Sequence, residues 1–165
     1  MSELVENEDL DELELYLLQL TEKTQAGYVN YCANRAADAI ASHYDKIAKS
    51  QATKIFWSLE LPETLPLNEV DYCSILGNLT ENAIHAVKIL PENRRVIKII
   101  SSMLSEYILG LAIDNPYDGK NSQKISGQGI GLISVRNTAD RYGGTMNINA
   151  ENETFSVDII LYCNT

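Results

Sequence analysis

The chain has 165 residues, enough to bury a core of its own without disulfide or metal staples. Its 45% hydrophobic and 22% charged content excludes wholesale disorder, and a net charge of -10 argues against a nucleic-acid partner, which calls for a basic face. Cys32, Cys73 and Cys163 are odd in number and lack paired zinc spacing, so reduced thiols of a cytoplasmic protein are expected. There is no run of about 18 apolar residues and no basic-then-apolar leader, so the chain as given is expected neither to span a membrane nor to be secreted. A membrane-bound parent stays open.

The charge is uneven. Residues 1–22 hold eight acids and no base, and the rest of the chain has 15 acids against 13 bases. In the acidic stretch Leu10, Leu13, Leu17 and Leu20 follow a 3-4-3 spacing, which predicts a helix with one apolar seam. It is read either as docked on its own domain or as the end of a longer helical, dimeric segment. A second helix is expected at about 29–49, with Val29, Cys32, Ala36, Ile40, Tyr44 and Ile47 on one face. In "TKIFWSLEL", Ile55, Trp57, Leu59 and Leu61 alternate as in a strand. "LPETLPLN" reads as a loop whose last residue, Asn68, caps the next helix, with Asp71 completing a variant of the capping box. That helix is expected to reach Leu90, where Pro91 ends it.

"RRVIKIISSM" and "EYILGLAID" read as neighbouring strands joined near Leu104 and Ser105. A polar loop, 115–128, precedes a helix with Leu132, Val135, Ala139 and Tyr142 inward, stopped by Gly143-Gly144. "TMNINA" and "TFSVDIILYC" form a hairpin around Glu151-Asn152. The order predicts a two-layer α/β sandwich, with three helices on one face of a mixed, mainly antiparallel sheet and an additional N-terminal helix.

Three stretches carry chemistry. In "SILGNLTENAIHAV" the positions i, i+4 and i+7 align Asn78, Asn82 and His85 on one helix face. Asn competes for backbone hydrogen bonds and is a mediocre helix former, so a pair on one face is either capping a loop or holding something. Amide oxygens are hard ligands suited to Mg²⁺. In "LAIDNPYDG" an apolar strand ends at Asp114-Asn115, and Pro116 is expected to force the chain out of the sheet. A carboxylate there can accept from an exocyclic amine such as that of adenine, or can merely initiate a turn. "SGQGIGL" places Gly127, Gly129 and Gly131 directly before a helix, where close backbone approach and the helix dipole suit a phosphate. Its spacing fits neither the Rossmann nor the Walker pattern.

Taken in order, the three stretches resemble the catalytic ATP-binding (GHKL-type) domain of bacterial sensor histidine kinases, in the superfamily shared with gyrase and mismatch-repair ATPases. "NLTENA" is similar to that family's N box, "DNPYDG" to its first glycine box, "GQGIGL" to its second and "TFSVDIIL" to its last strand. The resemblance covers about residues 29 to 163. "NYCANRAADAIASHYDKIAK" and "LPLNEVDYCSILGNLTENAIHAV" look like the branch of peptide quorum-sensing receptor kinases.

The resemblance implies ATP and Mg²⁺ as cofactors. It gives Asn82 as the metal ligand, Asn78 as support for phosphate or metal, and Asp114 or, in this branch, Asn115 as the reader of adenine. Gly127, Gly129 and Gly131 would form the lid hinge and phosphate cradle, with Leu132 next to them in the nucleotide site, and His85 stands where many histidine kinases carry a phosphate-binding Lys, either contacting phosphate or capping the groove. From charge alone, Lys120 and Lys124 are expected as lid cations. Asn78 stands where serine-kinase and ATPase relatives carry a Glu general base, which favours a histidine kinase over an anti-sigma-type serine kinase. Pro116 and Asp118 stand where the fuller first box has glycines, which keeps a catalytically decayed nucleotide-binding module as a rival. Neither His43 nor His85 sits in a phosphoacceptor pattern. The resemblance thus implies residues 1–26 as the end of a linker from a missing phosphoacceptor and dimerisation domain and residues 27–165 as the ATP-binding domain. Its expected partners are that domain and a response regulator, within a homodimeric kinase that this fragment alone cannot autophosphorylate.

Overall fold

The computed structural model describes residues 29–119 and 129–163. The acidic 1–26 segment, Lys120, Lys124 and Gly127 lie outside them. The expected sandwich is present in this order: α1 (Arg35–Ser50), β1 (Lys54–Glu60), α2 (Glu69–Lys88), a 3₁₀ turn (Glu92–Arg94), β2 (Val96–Ser105), β3 (Ile108–Pro116), α3 (Ile130–Arg141), β4 (Thr145–Glu151) and β5 (Thr154–Tyr162). The sheet order is β1-β2-β3-β5-β4, with β1 and β2 parallel and every other pair antiparallel. The helices pack side by side, α2 between α1 and α3, and cover one sheet face. Strand alternation explains the core. Ile97 and Ile99, Leu109, Leu111 and Ile113, and Val157, Ile159 and Leu161 all point to the helices and are buried. Ile75, Leu76, Leu79, Ala83 and Val87 of α2 meet them. No described helix is long and apolar enough to cross a membrane.

Several boundaries differ from the sequence expectation. The second helix begins at Arg35, not near residue 29, because Asn34 is its N-cap. Asn34 is fully buried: Oδ1 accepts from the Ala37 N–H (2.9 Å), while Nδ2 donates to the Glu63 carbonyl (3.0 Å) and to Glu69 Oε1 (2.9 Å). One side chain therefore starts α1 and pins the loop before α2 as well as α2's first residue. Val29, expected on the apolar helix face, is exposed instead.

Asn68 caps α2 as expected, accepting from the Val70 and Asp71 N–H groups at 2.9 and 3.2 Å. Asp71 does not complete a capping box; its carboxylate is taken by Tyr142 and Arg141 of the third helix. α2 stops at Lys88, two residues short of Leu90. The strands β2 and β3 are joined two residues later than expected, through Glu106-Tyr107, with a register shift between Met103 and Ser105. The β4–β5 turn uses Asn152-Glu153, both at positive φ (52° and 58°), as the twist of a tight hairpin demands.

Pro116 does not break the sheet. It pairs with Thr154, and the next N–H, of Tyr117, donates to the Glu153 carbonyl at 3.0 Å. Successive N–H groups alternate sides, so the nitrogen of Pro116 faces β2, whose pairing with β3 has already ended at Asp114. The missing donor falls where no ladder needs it.

Beyond α3, Gly143 adopts φ 62° and Gly144 sits so close to β5 that an added Cβ would overlap the Ile160 carbonyl oxygen. These two residues stop the helix and seat its C-terminal end on the sheet.

Candidate functional site

The same connections decide which ends of the elements meet. Asn115 and Pro116, at the end of β3, lie beside Phe155 and Thr154 at the start of β5 and hence near Glu151 at the end of β4. α3 leads into the opposite, starting end of β4, so its own N-terminus lies at the end of the sheet that holds Asn115. α2 runs antiparallel to α3: Asp71, in its first turn, bonds to Tyr142 at the end of α3, while Asn78 reaches the start of α3. Asn82 is one turn further along α2, past the point where α3 begins.

The row on α2 opens progressively. Asn78 is half-buried, its Nδ2 donating weakly to Ser74 Oγ (3.4 Å), and a Cβ added to Gly131 would lie 3.6 Å from its Oδ1. Asn82 is half-exposed and has no hydrogen-bond partner among the described residues. His85 is exposed in α2's last turn, beside Lys88, where basic groups complement the negative end of the helix. On the other side of α2, turned to the core, Ile75, Leu79 and Ala83 are buried, and Ala86 is half-buried.

Facing this row is the start of α3. Gly129 is its N-cap and offers no side-chain acceptor, and no acid stands in the first turn. Among the described residues the first N–H groups are thus left without an intrahelical or side-chain partner, and the helix dipole makes this end positive. Gly129 has open space around it, Gly131 abuts Asn78, and the Leu132 side chain is buried in the core. Only the backbone N–H of Leu132 is therefore available at the helix start.

Asp114 and Asn115 point to opposite faces of β3. Asn115 follows Leu109, Leu111 and Ile113 onto the helix-covered side, is 2% exposed, and donates from Nδ2 to the Pro116 carbonyl (2.9 Å), which leaves Oδ1 as an acceptor. Asp114 lies on the face away from the helices, between Lys98 and Ser156 in register. The structure thus gathers Asn78, Asn82, Asn115, Gly129 and Gly131 at one end of the helix layer and sets Asp114 apart from them.

No group of three or more His, Cys, Asp or Glu side chains is arranged to hold a metal among the described residues. A cation here would rest on amide oxygen and on whatever oxygens a ligand brings. That suits Mg²⁺, which keeps few protein ligands and binds with substrate phosphates.

The α2–α3 packing that frames the site ends in a polar cluster which the sequence reading missed. Tyr142 donates to Asp71 Oδ2 (2.6 Å), Arg141 to Asp71 Oδ1 (3.2 Å), and the Asn68 N–H donates to the Tyr142 hydroxyl (3.3 Å). Tyr142 and Asp71 are 71 positions apart, so no local pattern reveals the pair.

A family model of the GHKL domain matches residues 67–162, more than half of the sequence, and the chain belongs to that family. Solved histidine kinase structures share the fold. One is the Acinetobacter baumannii histidine kinase AdeS, 17% identical with a TM-score of 0.59 over 79% of this chain and 64% of that one. Another is the catalytic domain of histidine kinase ThkA in a nucleotide-free form, 18% identical with a TM-score of 0.56 over 77% of this chain and 90% of that one. A third, full-length ShkA in complex with AMPPNP, is 15% identical with a TM-score of 0.57, over 76% of this chain and 29% of that one. The chain thus spans under two thirds of AdeS and under a third of ShkA. Among curated proteins, none matches this sequence.

Proposed function

We propose that this domain binds Mg²⁺-ATP between α2 and the start of α3 and supplies the γ-phosphoryl group to a histidine on a separate phosphoacceptor domain. The observation that carries the reading is the meeting, at one end of the sandwich, of three groups without a partner among the described residues: the Asn82 amide, the N-terminus of α3 and the Oδ1 of Asn115. In this reading Asn82 holds Mg²⁺, which when bound neutralises charge on the phosphates, and Asn78 supports phosphate or metal from the same wall. The N–H groups following Gly129 receive phosphate oxygens, and Asn115 accepts from the adenine amine. His85 lines the groove edge; Lys120, Lys124 and Gly127, outside the described residues, are proposed as lid groups from the sequence alone.

Phosphoryl transfer asks the protein mainly to position groups and neutralise charge. No carboxylate occupies the Asn78 position to activate water, so ATP hydrolysis is slow and the nucleophile is the partner's imidazole. The phosphoacceptor and dimerisation domain and a response regulator complete the two-component pathway, with the assembled kinase a cytoplasmic homodimer or the cytoplasmic part of a membrane sensor. The ShkA structure with AMPPNP supports a triphosphate ligand for this fold.

Amide NMR of the whole chain titrated with Mg²⁺-ADP tests the reading. The expected result is a set of shifts concentrated at Asn78, Asn82, Asn115 and residues 129–132. Shifts centred on the outer sheet face or on the groove between α1 and α2 would overturn it.

A further inference from the structure

We propose that Asp71 and Tyr142 form a latch that sets the spacing between α2 and α3 at their opposite, nucleotide-binding ends, so that Asp71 and Tyr142 are positioning residues for a site they do not touch. The inference rests on the reading of that site given above.

The geometry is that of two rods clamped at one end. α3 has 12 residues, a length of about 18 Å at the usual helical rise. At its C-terminus it is held three ways: Gly144 is jammed against the Ile160 carbonyl, the Tyr142 hydroxyl bonds to Asp71 (2.6 Å), and Arg141 bonds to the same carboxylate (3.2 Å). At its N-terminus it meets α2 where Gly131 approaches the Asn78 amide. Gly129 provides no side-chain cap there.

The two bonds of the latch are unequal. Arg141 is 63% exposed, and a surface ion pair of that kind contributes little. The Tyr142 bond is short, partly buried and made to a charged acceptor, the stronger class of hydrogen bond. It is also the main reason that the Asp71 carboxyl is held below its ordinary value, with Arg141 helping. Asn68, the N-cap of α2, joins the latch through its own N–H to the Tyr142 oxygen. The start of α2 and the end of α3 are thus one hydrogen-bonded unit, and a tilt at this end is carried along rigid helices to the gap between Asn78 and Gly131.

The test uses the whole chain and three variants, Tyr142→Phe, Asp71→Ala and Asp71→Asn, with two readouts: amide NMR without nucleotide and calorimetric titration with Mg²⁺-ADP. Tyr142→Phe and Asp71→Ala are expected to move the Asn78 side-chain amide and the Gly131 backbone amide, and to weaken Mg²⁺-ADP about threefold to tenfold. Asp71→Asn keeps an acceptor for the Tyr142 hydroxyl and is expected to fall between the wild type and Asp71→Ala. Shifts confined to residues 68–72 and 138–144 would overturn the proposal, as would an unchanged affinity in a protein whose wild type binds. If the wild type binds no Mg²⁺-ADP, the nucleotide reading itself falls. The Asn78 and Gly131 resonances then still decide whether the latch sets the helix spacing.

Discussion

Two neighbouring residues, Asp114 and Asn115, show what a sequence conveys at the scale of single side chains and where it stops. Their strand is legible from its apolar run, but a strand sends successive side chains to opposite faces. Which face is covered depends on where the helices pack. The structure puts Asn115 on the helix side with its Oδ1 available, and Asp114 on the other face between Lys98 and Ser156. Asn115→Ala is accordingly expected to weaken ADP binding by roughly fivefold to a hundredfold, the usual range for one lost hydrogen bond in a desolvated site. Asp114→Ala is expected to leave it within about twofold, since its side chain faces away. Calorimetry on both variants checks this, and the reverse order of effects would put adenine on the wrong side of β3. The Asn78 and Asn82 row, by contrast, was readable from helical periodicity alone, because both residues belong to one regular element. The Pro116 expectation failed for a reason outside its own segment: the pairing of β3 with β2 stops at Asp114, and the missing N–H has nothing to lose.

At the scale of elements, periodicity located all three described helices and all five strands, and the errors lie at their ends. Asn34 is the clearest case. The apolar spacing from Val29 onward continues a helical pattern, yet the chain turns at a buried cap that also serves residues 29 and 35 positions away. Those bonds are tertiary and leave no local trace. Asn34→Ala removes the cap and two further bonds, to the Glu63 carbonyl and the Glu69 carboxylate, so a loss of about 2–4 kcal/mol is expected in urea denaturation. A loss below about 0.5 kcal/mol, the level of an ordinary surface substitution, would contradict the assigned role.

A second junction, between α1 and β1, carries a pH dependence. Asp45 accepts from Trp57 Nε1 (3.1 Å) and pairs with Lys49 (2.8 Å). Burial pushes its carboxyl up, but the bonds from Lys49, Trp57 and Tyr31 together outweigh burial and hold it below the ordinary 3.8. A depressed folded-state value means that the stabilisation is present above about pH 3.8 and is lost as pH falls through the lower value. Asp45→Asn is expected to lower the melting temperature at neutral pH and to flatten the acid limb below pH 3.8. An unchanged acid limb in the variant would show that Asp45 is not among the groups responsible.

For the whole molecule, the sandwich and its family were accessible because order and spacing were kept: an Asn pair on a helix, an Asp-Asn after an apolar strand, alternating glycines before another helix. What the sequence could not supply was the convergence of these stretches. They meet only because α2 and α3 run antiparallel and because β3 ends beside the start of β5. The Asp71–Tyr142 bond, joining residues 71 positions apart, belongs to the same level of organisation. The net charge of the described domain tells little of this; the site is made of amides, backbone N–H groups and a helix dipole, none of which enters a charge count.

The measurement that bears most directly on the account is calorimetric titration of ATP or ADP into the whole chain, with and without Mg²⁺, for the wild type and for Asn82→Ala. The account predicts binding that depends on Mg²⁺ in the wild type and is abolished by the substitution, with the variant still folded. Absence of wild-type binding at millimolar nucleotide, or binding indifferent to both Mg²⁺ and Asn82, would contradict it and leave a GHKL fold serving as a partner-binding scaffold.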